Sequence, residues 1–436
     1  MELSKHNIIS KIAGSDKYFI VNLLSQQADI LLPNEAERLL GFTGEIPAEF
    51  FEKGYVVDTQ EEQKLFKARY LEFIDHRDTD EIQIFYVPSY ACNFACSYCY
   101  QDEYLNIERP FDKNVVDAFF EFISTRFSRR RKYITIFGGE PLLKSQNQIA
   151  FFDYFVQCAN QLMTDLAIVT NGYFIKEYID ILKKARIREI QVTLDGTNEF
   201  HNRRRMLKGG QPTFDKIVEG IDELLVQHIP VNLRMVLDKE NIEGLPELAR
   251  FAIDRGWTKS GHFKTQLGRN YELHHCQSAS SRLYSRIEMY SDIFSLLKEH
   301  PFIEEFHKPA FSVSKFLFEE GKLPDPLFDS CPGAKTEWAF DYTGKIYSCT
   351  ATVGKQYEEL GTFYPLVELD EEQVCDWQSR DILTIAECRN CALQLACGGG
   401  CASVAKNATG SINTPDCRPV KELLELGIAH YFADMA

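Results

Sequence analysis

Residues 90–100 read YACNFACSYCY and set Cys92, Cys96 and Cys99 at C-x3-C-x2-C spacing. Three thiolates from one short loop can hold three irons of a [4Fe–4S] cluster, because thiolates are the usual ligands of such clusters. The fourth iron then lacks a protein ligand, and an open metal position is where a substrate can bind. A structural zinc knuckle is the competing reading, and it asks for four ligands.

Working outward, an apolar strand is expected at 82–87, immediately before the loop. Further strands follow at 133–137, 167–170, 189–194, 231–237 and 262–266. Amphipathic helical stretches lie between them, at 114–127, 149–163, 176–185, 214–226 and 245–253. Such alternation predicts a parallel α/β sheet with helices outside it, either open or curled into a barrel. The cysteine loop would sit at the carboxyl end of the first strand, where these folds place their chemistry.

The later strand ends carry further signals. Gly138-Gly139-Glu140-Pro141 closes the second strand, Thr170-Asn171-Gly172 the third and Thr193-Leu194-Asp195-Gly196 the fourth, followed by His201 and Arg203-Arg204-Arg205. Two glycines let a strand edge approach a ligand closely and expose carbonyls that accept from an ammonium. In this order the segments resemble the radical S-adenosylmethionine superfamily. The resemblance implies a partial (β/α)6 TIM-like barrel and the binding of S-adenosylmethionine to the open iron. It implies cofactor contacts from Tyr98, Gly138, Gly139, Glu140, Pro141, Asn171, Thr193 and Asp195, with Arg205 for the methionine carboxylate. The chemistry implied is reductive cleavage of the cofactor to a 5′-deoxyadenosyl radical that takes a hydrogen atom from substrate.

The tail holds a second group: Cys331, Cys349, Cys388, Cys391, Cys397, Cys401 and Cys417, with Gly344 five residues before Cys349. The spacing C-x12-G-x4-C, then C-x2-C-x5-C-x3-C, then C resembles the SPASM extension of peptide-modifying members. It implies two auxiliary iron–sulfur clusters. Cys388, Cys391, Cys397 and Cys417 would close one; Cys331, Cys349 and Cys401 would hold the other, whose fourth place falls to Cys276, to Cys375 or to an open iron. A pair of zinc sites is the alternative, although zinc ribbons favour paired C-x2-C knuckles. Cys158, inside an apolar helix, reads as core. The sulfatase-maturating relatives carry a carboxylate base directly after the G-x4-C cysteine, where this chain has Thr350, so the proton acceptor is unassigned.

Residues 1–78 read as β-β-α-α-β-α, with apolar runs at 17–24 and 28–32, helices from 34, at 47–53 and at 61–74, and a strand at 55–57. That order resembles the winged-helix-like peptide-recognition unit of ribosomal-peptide maturases, which binds a leader peptide by strand addition. The expected division is 1–78 peptide recognition, 79–270 barrel, 271–325 helical bridge and 326–436 Cys-rich SPASM domain. The tail's short loops and glycines suggest too little regular core to fold without metal.

The whole chain has 436 residues, 44% of them hydrophobic, with 32 Phe and 13 Cys, which excludes disorder and small disulfide scaffolds. A formal charge of −16 opposes general binding to nucleic acid or an anionic membrane surface. The absence of an apolar run of spanning length, and of an apolar core in the first residues, leads us to expect a cytoplasmic protein. Many cysteines there point to metal chemistry rather than disulfides. The expected partners are a leader-bearing precursor peptide and a low-potential electron donor such as flavodoxin or ferredoxin.

Overall fold

The structure is a computed structural model that describes the chain apart from residues 42–45, 100, 102–103, 105–106, 271–280 and 434–436. Its centre is a ten-stranded sheet. Six parallel strands, Ile82–Val87, Lys132–Ile136, Asp165–Thr170, Ile187–Thr193, Val231–Leu237 and Phe263–Arg269, lie side by side in chain order. All six expected strands are present, within a few residues of their expected bounds. Helices Lys113–Arg126, Gln146–Gln161, Ile175–Leu182, Phe214–Val226 and Leu245–Asp254 connect them. Local chemistry starts these helices: the Asp112 carboxylate accepts from Asn114 N at 2.8 Å, and Ser145 Oγ from Gln148 N at 3.0 Å.

Strand residues alternate between the two faces of the sheet. Ile84, Tyr86, Ile134, Ile136, Ile168, Val192, Leu233 and Met235 enter one buried cluster with Phe119, Phe152 and Phe155 of the helices. The opposite face is mixed. Gln83 Nε2 donates to Thr135 Oγ1 across neighbouring strands at 2.9 Å, and Phe85 meets Phe137 edge to face. The six-stranded run is not closed, which gives the partial barrel; the first and sixth strands do not pair.

The tail departs from its expectation. Glu337–Asp341 pairs in parallel with Ile82–Val87 and extends the barrel sheet, and three antiparallel strands, Lys345–Tyr347, Glu359–Thr362 and Glu368–Leu369, follow it. Trp338, Phe340, Ile346, Leu360 and Phe363 join the main core. So residues 337–369 add regular strands to the barrel's core, because EWAFD places its aromatic residues on the helix-facing side.

The N-terminal segment has two strands more than expected. Asn7–Lys11 pairs with Tyr18–Asn22, which pairs with Gln27–Leu31, all antiparallel, and Glu2–Leu3 pairs with Val56–Val57. Ile8, Phe19 and Val21 share a buried cluster with Phe328, Ile385, Cys388, Cys397 and Leu424. This sheet therefore packs on the Cys-rich tail. Phe66, Tyr70 and Phe73 of helix Thr59–Thr79 surround the Phe328 ring at 5.1–5.6 Å, and Tyr70 donates to Asp381 at 2.8 Å. The helix-rich segment before the tail contains Arg286–Glu299, Ile303–Phe306 and Ser314–Glu320. No helix among the described residues is long and apolar enough to cross a membrane.

Candidate functional site

At the carboxyl ends of the parallel strands lies a cavity of about 220 Å³. Cys92, Cys96 and Cys99 all line it, and none is in a disulfide. Two backbone devices hold their loop. Residues Phe94–Cys96 pair antiparallel with Arg205–Leu207, so that Arg205 stands opposite Cys96. On the other side Glu140 N donates to Ala91 O at 2.8 Å. Gly139, at φ +51°, runs so close that a Cβ there would lie 2.3 Å from the same carbonyl oxygen. No other residue fits that approach.

Of the other expected cofactor contacts, Tyr98, Gly138, Gly139, Glu140, Asn171, Thr193 and Arg205 line the cavity with the cysteines. Pro141 and Asp195 do not. The Pro141 carbonyl accepts from Gln148 Nε2 at 2.7 Å. Asp195 is fully buried and accepts from Arg204 Nε at 3.3 Å and Val236 N at 3.0 Å, which ties the fourth strand end to the fifth. Glu140 reaches the wall, yet its carboxylate accepts from Thr170 Oγ1 and Asn171 N, each at 2.6 Å, and from Leu142 N at 2.8 Å. It fastens the second strand end to the third. Burial pushes its pKa up to about 7, against the pull of those three donors.

Four polar wall residues escaped the sequence reading: Gln101, Arg234, Arg269 and Asn270. Gln101 Oε1 accepts from Gly139 N at 2.7 Å. Arg234 stands beside Thr193 in the parallel ladder. An arginine inside an apolar strand gives no motif; only the inward parity shared with Thr193 and Val236 could have pointed to it. Burial pushes the Cys92 thiol up to about 12 and the Cys96 thiol up to about 11, Arg205 opposing the second.

Do these residues suit the implied cofactors? Three adjacent thiols face one space. Gln101 Nε2, Arg205 Nε and Arg234 Nε are buried donors with no acceptor among the described residues. A glycine edge admits close approach. The donor set and the cradle fit an iron–sulfur cluster and a polar ligand bearing a carboxylate.

The tail cysteines fall into two neighbourhoods. Cys388 lies within electrostatic reach of Cys391, Cys397 and Cys417. Cys349 lies in reach of Cys331, whose sulfur accepts from Ala402 N, next to Cys401. Cys375 is exposed; Cys276 lies outside the described residues. Among the described residues no three His, Cys, Asp or Glu side chains are arranged to hold a single metal ion. Buried Arg380 organises this region, donating to the carbonyls of Gly399 at 2.9 Å, Gly400 at 3.2 Å and Thr414 at 3.1 Å. Lys335 joins Asp329 at 2.5 Å beneath Cys331. Thr350 N donates to Glu337 Oε1 at 3.1 Å, so a half-buried carboxylate adjoins the position at which the resemblance implies a base.

Residues 86–252 match the Radical SAM superfamily. Among curated relatives, the chain is 29% identical over 170 residues to the GTP 3′,8-cyclase of Nautilia profundicola, covering 38% of this chain and 51% of that one. It thus spans about half the length of the cyclases it matches. To the serine-type anaerobic sulfatase-maturating enzyme of Bacteroides thetaiotaomicron it is 26% identical over 388 residues, 79% of this chain and 87% of that one. Among solved structures, native anSMEcpe with bound AdoMet aligns with TM-score 0.62 at 15% identity, over 81% of this chain and 99% of that one. Streptococcus suis SuiB aligns with TM-score 0.58 at 16% identity over 96% and 99%, and has also been solved bound to its precursor peptide SuiA. With three thiols of the triad on one cavity wall and the family match running through every strand end that lines it up to the fifth, residues 86–252 of this chain form a Radical SAM domain.

Proposed function

We propose that this protein is a radical S-adenosylmethionine enzyme that oxidatively modifies, by forming a crosslink, a ribosomally made peptide. One observation carries the reading: the cavity gathers the three loop thiols, the glycine cradle and the strand-end polar groups within a single space. Cys92, Cys96 and Cys99 would hold the [4Fe–4S] cluster, with Gly138, Gly139, Asn171, Thr193 and Arg205 around the cofactor. When bound, the pair supplies a 5′-deoxyadenosyl radical able to abstract hydrogen. This chain's own part is to orient the ligand against the thiol loop and to exclude water. Glu140 keeps two strand ends in register, and Tyr98 accepts from Arg205 at 2.5 Å, fixing the guanidinium beside Cys96.

The tail groups Cys388, Cys391, Cys397, Cys417 and Cys331, Cys349, Cys401 would hold two auxiliary clusters, which would supply the capacity to accept an electron, and a low-potential donor such as flavodoxin or ferredoxin would provide the electron that cleavage of the cofactor requires. For the peptide, the outer edge of Gln27–Leu31 has no strand partner among the described residues. A cavity of about 400 Å³ beside it is lined by Phe19, Val21, Ala28, Ile30, Leu317 and Phe432. A leader strand added there gains main-chain hydrogen bonds and an apolar pocket for alternate side chains. SuiB, which shares the fold, was solved with a precursor peptide. A second reading, oxidation of a residue in a folded protein, is supported by the length of the match to the sulfatase-maturating enzyme.

Co-expression with a short leader-bearing peptide drawn from reading frames next to the gene tests the choice. A product lighter by two hydrogens supports crosslinking. Deuterium incorporation without mass loss in water would mean epimerisation, and an untouched precursor contradicts peptide modification.

A further inference from the structure

Arg234 is the unexplained group of the cavity. Its guanidinium lies against Gly268 on the neighbouring strand, where a Cβ would come within 3.0 Å of Nε and 3.1 Å of Nη2. The strand Phe263–Arg269 therefore leaves room for it by having glycine at that point. Nε is sealed from solvent with no acceptor, and among the described residues the side chain has no carboxylate partner. A half-buried guanidinium whose Nε is sealed in this way suits an anion in the cavity, and the shape that matches its fork is a carboxylate.

The described wall residues do not provide one. Among them, three guanidiniums line the cavity, from Arg205, Arg234 and Arg269, against one carboxylate, that of Glu140. Glu140 is satisfied by three other donors. Arg205 is bonded to Tyr98 and Arg269 to the Tyr284 carbonyl at 2.5 Å. Of the three, Arg234 alone has no acceptor for its guanidinium among the described residues.

We propose that Arg234 recognises a ligand carboxylate inside the barrel. This rests on the cavity being the cofactor and substrate site described above. Two sources carry that chemistry: the methionine carboxylate of S-adenosylmethionine, and an acidic side chain of the peptide entering beside it. Arg234 is a binding residue in either case, set next to Thr193 by the ladder.

The test compares wild type with R234Q, R234K and G268A, all reconstituted anaerobically, by calorimetric titration. The first ligand pair is S-adenosylmethionine and its decarboxylated analogue. The second, added to cofactor-loaded protein, is N-acetyl-glutamate methylamide and its glutamine counterpart. If the cofactor's carboxylate is the partner, R234Q weakens S-adenosylmethionine by about tenfold or more and leaves the decarboxylated analogue unchanged. If the peptide's is the partner, S-adenosylmethionine binding holds, while the preference for the glutamate probe over the glutamine probe disappears. R234K retains part of either effect, having the charge without the fork, and G268A gives a smaller loss of the same kind by displacing the guanidinium. R234Q that binds all four ligands as the wild type does overturns the proposal and leaves the function above standing. A wild type that binds no S-adenosylmethionine overturns both.

Discussion

The two cysteine regions of this chain are built on opposite plans. The barrel loop presents half-buried thiols to a cavity whose wall keeps donors without acceptors. In the tail, Cys331, Cys349, Cys388 and Cys397 are buried, two of them within the apolar cluster that also holds the N-terminal sheet. There most charged groups are spent on the framework, Arg380 on loop carbonyls, Lys335 on Asp329, Asp416 on Arg286 at 2.8 Å and on Cys401 N at 3.1 Å, although the buried Gln394 amide has no partner among the described residues. An open site keeps polar groups in reserve for a ligand. A closed site consumes them in its own framework.

The comparison breaks most sharply on the cysteines. Cys96→Ala should abolish S-adenosylmethionine cleavage and lower iron content by about four per chain, with the melting temperature nearly unchanged. Cys397→Ala should lose iron from the tail and lower the melting temperature as well. Equal thermal effects of the two would erase the distinction drawn here. Next in size is Arg380→Met, which leaves the loop carbonyls of Gly399, Gly400, Ile412 and Thr414 without this donor. A loss of about 3–5 kcal/mol in urea unfolding is expected; a loss under about 1 kcal/mol would mean that the tail does not depend on this framework.

Gly139→Ala tests the open site's cradle. The new methyl group meets the Ala91 carbonyl at a positive φ, at a cost of about 1–3 kcal/mol. Because the strain falls on the thiol loop, cofactor affinity measured by titration should drop while circular dichroism stays that of wild type. Retained affinity would show that the loop yields freely.

The smallest effect concerns the sheet packed on the tail. His6 is 2% exposed, stacked on Phe66 at 5.4 Å, with no partner on either ring nitrogen among the described residues. Burial, aided by Lys5, lowers its pKa to about 4. The unfolded chain takes up a proton near 6.5 and the folded one only near 4, so stability is full above 6.5 and falls progressively down to about 4. At pH 5.5 the loss attributable to His6 is about 1 kcal/mol. Urea unfolding of wild type and His6→Phe at pH 7.5 and 5.5 measures it. A stability difference that does not change with pH contradicts the assignment.

Much of this was legible in the chain because the barrel announces itself by apolar runs ending in glycine-rich motifs. Each of the six strands stands near its expected place for that reason. EWAFD at 337–341 was read as loop because five residues among glycines and cysteines carry little period, and only pairing with Ile82–Val87 makes them a strand. NIISK at 7–11 was missed likewise, being stabilised by a neighbour rather than by propensity. At the site, motif residues with a fixed spacing were found and Arg234 was not. Asp195 shows the converse: its motif position suggested the cavity, and its carboxylate turned inward to Arg204. Sequence spacing names the residues near a strand end. Which way each side chain is committed depends on partners far along the chain.

The account stands on an open iron position at the triad. The most direct measurement is formation of 5′-deoxyadenosine from S-adenosylmethionine by anaerobically reconstituted, dithionite-reduced protein, with Cys96→Ala alongside. We expect cleavage by the wild type and none by the variant. An intact cofactor after reduction, with iron demonstrably bound to Cys92, Cys96 and Cys99, would contradict it.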